Sequence, residues 1–262
     1  MDFEGKKVLI TGGTRGIGKC LVEELVKNGV RHIAVIARDK QNLKKLATEF
    51  QEVKFLRIAG DVADIDVLRE AAARIEDKWG YLDILINNAG IISAGPLEDI
   101  SDEDLYDQVA VNLTAVLLLT KYCIPLLKSS EEAAILNISS GLGLLGMPFY
   151  TVYGSTKAAV RQFSDATRRE LAPHKISVTC AYPTATDTDM MQKFKEREMD
   201  SPEMVAQRSL EGLMKKELHV IFGGEKRLME NKMNFESPAK FDAQIAKNYK
   251  QWEEKSANHR AI

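Results

Sequence analysis

The sequence predicts a doubly wound α/β fold, a seven-stranded parallel sheet with helices on both faces. Three observations carry this. Short, almost continuously apolar stretches recur through residues 1–224. Between them lie longer stretches whose apolar residues fall at helical spacing. No Pro- or Ser-rich linker, internal repeat or low-complexity tract interrupts the alternation. Strands that are apolar on both faces belong in a parallel sheet covered on each side, and the intervening helices supply the crossovers.

The elements follow in order. "KKVLIT" (6–11) reads as a buried strand stopped by Gly12 and Gly13. Residues 16–28 are helical, with Ile17, Leu21, Leu25 and Val26 on one stripe. "HIAVIA" (32–37) is a strand and 39–50 a charged helix. A strand over 53–62, a helix over 64–79 and a strand running into a turn over 82–90 continue the rhythm. A long helix fills 102–128; strand 133–140, helix 151–173, strand 176–183, helix 202–217 and strand 219–224 complete it. Residues 225–262 are charged and different in character, and read as a C-terminal helical extension. There Ser237 and Pro238 start a helix with Phe241, Ile245, Tyr249 and Trp252 on one stripe. That helix packs on its own domain, or covers a subunit interface or a substrate mouth.

Composition narrows the function. Of 262 residues, 45% are hydrophobic and 28% charged, with a net charge of −2. Nothing in that balance draws the chain to nucleic acid or anionic lipid. The tail's lysines are interleaved with acids, as on a solvated helix face. No apolar run approaches the roughly 20 residues of a membrane span, and the acidic start is not a secretory signal. Cys20, Cys123 and Cys180 are odd in number and far apart in apolar surroundings. They read as buried reduced thiols in a reducing, cytoplasmic setting. His32, His174, His219 and His259 have no metal-ligand spacing, so no metal is expected.

"TGGTRGIG" (11–18) follows the first strand and opens the first helix. Gly12, Gly16 and Gly18 permit a tight turn and let the backbone approach a pyrophosphate. The helix N-terminus adds free N–H groups and positive partial charge. Dinucleotide binding is the expected function of this turn. Arg38 lies at the end of the second strand, where an acidic residue would select NAD(H) and an arginine accepts a 2′-phosphate. Ala37 adjoins it, Arg15 is a second cation, and Asp39 is one residue along. NADP(H) is expected over NAD(H).

In "YGSTK" (153–157) a tyrosine precedes a lysine by one helical turn, so phenol and ammonium share a face. With "TGGTRGIG", "DV" (61–62), "NNAG" (87–90), "VNL" (111–113) and "NISSGLG" (137–143), in this order, the chain resembles the short-chain dehydrogenase/reductase family over most of 6–190. The resemblance implies a Rossmann sheet and a catalytic set of Asn112, Ser140, Tyr153 and Lys157. It also implies cofactor contacts from Gly12, Thr14, Arg15, Gly16, Ile17, Gly18, Arg38, Asp61, Val62, Asn88, Ala89, Gly90, Tyr153, Lys157, Pro183 and Thr188. Ser139 is the poorer serine because neighbouring strand residues point to opposite faces. The chemistry suits the residue types. A free tyrosine titrates near 10. The Lys157 cation is expected to lower that value, so that Tyr153 acts as acid for reduction and base for oxidation. Ser140 would hydrogen-bond the substrate oxygen, Lys157 would hold the ribose, and Asn112 would anchor a water linking Lys157 to solvent.

Thr184 stands where the family has glycine after a proline, which puts the loop path at Thr188 in question. Leu142, Leu144, Leu145, Met147, Tyr150, Tyr182, Met190 and Met191 are expected around the nicotinamide and suggest an apolar aldehyde or ketone. The loop 184–201 reads as a lid or as plain surface. The resemblance also implies a homodimer or homotetramer joined through helices 102–128 and 151–173. Acyl-carrier-protein-linked 3-oxoacyl reduction ranks lower, because residues 225–262 follow the last strand. A cofactor sensor on the same fold is the other class, disfavoured by the intact tetrad.

Overall fold

The computed structural model describes residues 2–194, 199–257 and 259–261. The strands are β1 (Lys7–Thr11), β2 (His32–Ala37), β3 (Lys54–Ala59), β4 (Ile84–Asn87), β5 (Ile92–Ser93), β6 (Ala133–Ile138), β7 (Ile176–Tyr182), β8 (His219–Ile221) and β9 (Arg260–Ala261). The helices are α1 (Gly16–Lys27), α2 (Lys40–Glu49), α3 (Ile65–Trp79), α4 (Asp102–Val109), α5 (Ala115–Lys128), α6 (Thr151–Leu171), α7 (Pro202–Met214), α8 (Gly224–Glu236), α9 (Pro238–Ala246) and α10 (Tyr249–Ser256). Among the described residues seven strands form one parallel sheet in the order β3-β2-β1-β4-β6-β7-β8.

Period-two alternation sends neighbouring strand residues to opposite layers. On one face Val8, Ile10, Ile33, Val35, Ile84 and Ile86 pack against Leu21 and Leu25 of α1 and Leu210 of α7. On the other, Leu9, Ala34, Ile36, Leu85 and Ile135 pack against Leu68 and Ile75 of α3 and Leu119 and Cys123 of α5. Each such side chain contributes about 1.5–3 kcal/mol on burial. The strand order reverses between β1 and β4, so the loops that follow these two strands part there and leave a crevice. Both strand ends are stitched together by Thr11, whose hydroxyl accepts from the backbone N–H of Asn88 and of Ala89, each at 3.0 Å.

Asp102–Lys128 is one run of helical turns, interrupted by a π turn at Ala110–Thr114. By length and composition it is apolar enough to cross a membrane, with a mean hydropathy of 1.7 over an 18-residue window, which a search for unbroken apolar runs overlooks. Here its Leu119, Cys123 and Leu127 are buried against the sheet and α3.

The end of the chain is helical, with one departure in detail. A helix, α8, occupies 224–236, within the extension expected to be helical but before the one helix start read there. The stripe from Phe241 to Trp252 is not one helix but two, broken between Ala246 and Tyr249. Phe241 is buried and Tyr249 half exposed. The chain then returns as β9 and pairs antiparallel with β5, Ile92 opposite Ala261 and Ser93 opposite Arg260.

Candidate active site

A single cleft of about 660 Å³ opens at the carboxyl ends of β1 and β4. The glycine turn forms its floor. Gly12 has φ +68°, and a Cβ on Gly18 would lie 2.1 Å from the Gly12 carbonyl oxygen, so only glycine fits there. Arg15 precedes α1 without a side-chain cap, and the first turn carries no acid. The N–H groups of that turn are thus available to an anion. Glycine-narrowed backbone, an uncapped helix start and a long cleft fit a dinucleotide pyrophosphate. The Asn88 amide donates to the carbonyls of Thr11 (3.0 Å) and Gly12 (3.3 Å), bracing the turn from β4.

At the ribose end, Arg38 lies 3.9 Å from Asp61, and both are largely exposed. The Asp39 carboxylate is engaged elsewhere. It caps α2, accepting from the N–H of Gln41 (2.7 Å) and Asn42 (3.2 Å).

Ser140, Tyr153 and Lys157 meet at the other end. Tyr153 stands in the first turn of α6 and Lys157 one turn later, both buried. Burial pushes the Tyr153 phenol up to about 12, against a hydrogen bond with Ser140 that pulls it down. Burial likewise pushes Lys157 down to about 8. The expectation that Lys157 depresses the phenol is not realised in this structure. The Lys157 Nζ lies 5.8 Å from the Tyr153 ring centre and donates to the Ile138 carbonyl at 3.0 Å. Desolvation of both groups outweighs their attraction. The two serines border the cleft with different partners: Ser139 donates to the Lys157 carbonyl at 2.8 Å, while Ser140 accepts from the Leu142 N–H at 3.1 Å.

Every residue expected to catalyse or to touch the cofactor lines this cleft except Asn112. Asn112 is fully buried behind it. Its side chain grips the Ile91 backbone with two hydrogen bonds of 2.9 Å and donates to Thr156 at 3.3 Å. Lys157 is nevertheless close: a Cβ on Gly90 would lie 3.3 Å from both Asn112 Oδ1 and Lys157 Nζ.

The family model for short chain dehydrogenases matches residues 6–199. The chain belongs to this family. Among curated relatives of this short-chain dehydrogenase, oxidoreductase BOA17 of Botryotinia fuckeliana is 34% identical over 180 residues, 69% of this chain and 65% of that one. The 3-oxoacyl-[acyl-carrier-protein] reductase FabG of Thermotoga maritima is 33% identical over 201 residues, 75% of this chain and 80% of that one. The chain thus spans somewhat less than two thirds of the first relative's length. A crystal structure of a short chain dehydrogenase from Burkholderia cenocepacia in complex with NADP superposes with a TM-score of 0.83 at 26% identity, covering 94% of this chain and 99% of that one. A 3-ketoacyl-(acyl-carrier-protein) reductase from Brucella melitensis complexed with NADH gives 0.79 at 28% identity, over 86% and 99%.

The substrate end of this short-chain dehydrogenase corrects the sequence reading. Leu142, Tyr150, Met190 and Met191 line the cleft, but Leu144, Leu145, Met147 and Tyr182 do not. Tyr182 is turned into a separate cluster with Val160 and Cys180, its hydroxyl 2.9 Å from His219 Nδ1. Arg227, Trp252, His259 and Ala261 line the cleft instead. Trp252 lies on the stripe read as covering its own domain, a subunit interface or a substrate mouth, and the structure places it at the cleft; Arg227, His259 and Ala261 carried no local sequence signal, because each arrives from a distant part of the chain. Thr184 is accommodated through a hydrogen bond to Asp200, and Thr188 stays in the cleft, its methyl 3.2 Å from the Cβ position of Gly16. The loop that was read as lid or surface is pinned at its base, with Asp187 N–H donating to the Asp200 carbonyl at 3.0 Å and Asp200 N–H to Ala185 at 2.9 Å. Residues 195–198 of that loop lie outside the described residues.

Proposed function

We propose that this chain is an NADP(H)-dependent oxidoreductase that interconverts an apolar ketone or aldehyde with its alcohol, Tyr153 acting as general acid and base. The observation that carries the reading is the convergence of Ser140, Tyr153 and Lys157 at one end of the cleft whose other end is the glycine turn. When bound, a reduced nicotinamide supplies the hydride to the carbonyl carbon. As negative charge develops on the substrate oxygen, Ser140 donates a hydrogen bond and Tyr153 transfers its phenolic proton. A phenol held at about 12 is fully protonated at neutral pH, ready as the acid for reduction. Lys157 holds the ribose and relays a proton from solvent back to the Tyr153 phenolate, with Asn112 fixing the Ile91 segment behind it.

NADP(H) is favoured over NAD(H) by Arg15 and Arg38 on the cleft and by a capping role for Asp39. The apolar substrate class is favoured by Leu142, Tyr150, Met190 and Met191. A 3-oxoacyl thioester is the second reading, favoured by the similarity to the Thermotoga maritima reductase. Pairing through α4–α5 and α6 belongs to the same proposal, with Tyr106 (72%) and Leu117 (38%) exposed on the first of these.

The test is NADPH oxidation against apolar ketones, polar carbonyls and a 3-oxoacyl thioester, with Tyr153→Phe alongside. Turnover lowered about 10²–10⁴-fold in the variant, with NADPH binding retained, is the expected result. Equal turnover in the variant would overturn the reading.

A further inference from the structure

We propose that Trp252, His259 and Ala261 form the specificity-determining wall of the substrate end, with His259 as the positioning residue that joins its parts. The inference rests on the proposed carbonyl chemistry for its substrate, but on separate residues for its geometry.

The wall is a built structure. Trp252 and Ala261 pack with Ile92, Leu142, Tyr150 and Met190 around Tyr153. The segment is anchored at its end by β9. Arg260 makes two 2.8 Å hydrogen bonds to Asp104, whose carboxylate also accepts from the Ser93 hydroxyl at 2.7 Å. Paired donors on one buried carboxylate hold a fixed orientation. β9 hangs on β5, and β5 directly follows Ile91, the residue gripped by Asn112. The wall and the lysine end of the site therefore share one backbone segment.

His259 is 4% exposed, and both ring nitrogens are engaged. Nε2 lies 3.2 Å from the Met190 carbonyl and Nδ1 lies 3.1 Å from the Tyr150 hydroxyl. A carbonyl only accepts, so Nε2 donates to Met190, and Nδ1 shares the second hydrogen bond with the Tyr150 hydroxyl. The backbone of His259 accepts from Ala94 N–H at 3.0 Å. One residue thus joins the loop carrying Met190 and the start of α6, through its ring, to the segment after β5, through its backbone. Tyr249 supports the same corner, edge-on to Phe149 at 5.1 Å, where Phe149 holds φ +69° and its carbonyl accepts from Gly95 at 2.9 Å. The distance between these pieces and Tyr153 sets how large a group can sit beside the reacting carbonyl.

The experiment compares cyclohexanone with the bulkier 2-decalone, using NADPH, in the wild type and in variants. Trp252→Ala should raise the bulky-to-small ratio of kcat/KM about tenfold, and Ala261→Leu should lower it about tenfold, both through KM. His259→Ala should relax the ratio, and His259→Gln, whose amide offers both a donor and an acceptor, should restore most of it. A uniform fall for both ketones, or an unchanged ratio in all variants, overturns the proposal. A second measurement needs neither cofactor nor turnover. In a Trp79→Phe background, acetophenone should quench Trp252 emission saturably, and Ala261→Leu should weaken that binding. Absence of saturable quenching also overturns the wall. If quenching is seen but the wild type reduces no carbonyl, the proposed function fails while the wall stands.

Discussion

The ammonium of Lys157 lies 5.8 Å from the centre of the Tyr153 ring, yet donates at 3.0 Å to the carbonyl of Ile138. The lysine is thus held by strand β6 rather than by the phenol. Its folded pKa of about 8 lies below the ordinary 10.5 because burial disfavours the ammonium. Between those values the unfolded chain keeps a proton that the folded chain has released. The contribution of this group to stability is present above 10.5 and lost as pH falls through about 8. Denaturant unfolding of wild type and Lys157→Met from pH 7.5 to 10.5 checks it. The wild type should gain stability relative to the variant as pH rises, whereas a constant difference would mean an unshifted lysine.

Ser139 and Ser140 should separate stability from chemistry. Ser139→Ala leaves the Lys157 carbonyl without its 2.8 Å donor, at a cost of about 1–3 kcal/mol in unfolding free energy. Ser140→Ala should instead lower kcat about 10²–10³-fold with little change in Tm. Matching losses of both kinds in both variants would contradict the assignment.

Arg38→Ala tests cofactor selection. Losing a charged partner to a 2′-phosphate should raise the KM for NADPH about tenfold or more, while NADH kinetics stay within about twofold. Its neighbour Asp61, at 3.9 Å, is too exposed to hold it strongly. Equal effects on both cofactors would remove Arg38 from the selecting role.

The glycine turn offers a matched pair of substitutions. Gly18→Ala drives a methyl to 2.1 Å from the Gly12 carbonyl and should cost about 1–3 kcal/mol, together with dinucleotide affinity. Gly146→Ala meets nothing within 4 Å on an exposed loop and should be neutral. Thermal melts with and without NADPH distinguish them.

The sheet was legible because Val8, Leu9 and Ile10 are apolar whichever way they face, the mark of a strand covered on both sides. The dinucleotide end was legible because its residues lie within a few positions of strand ends. The substrate end was not. Tyr182 neighbours Pro183 in sequence, but alternation along β7 turns it away from the cleft. Leu145 is buried beneath the turn that follows Ser140. Helix α8 left no periodic trace, since none of its residues is buried and Leu228, Met229 and Phe235 are exposed. The short strands β5 and β9 are two residues each, and their pairing is a relation between distant segments that no local pattern encodes.

That pairing of Ile92 with Ala261 orders events in time. On the ribosome the strands that cradle a dinucleotide emerge and can close long before residue 261 leaves the tunnel. Joining such distant segments carries a large loop-closure entropy, and this pairing waits on the arrival of residue 261. A nascent chain therefore completes the sheet and the glycine turn before the pairing that closes the proposed substrate wall.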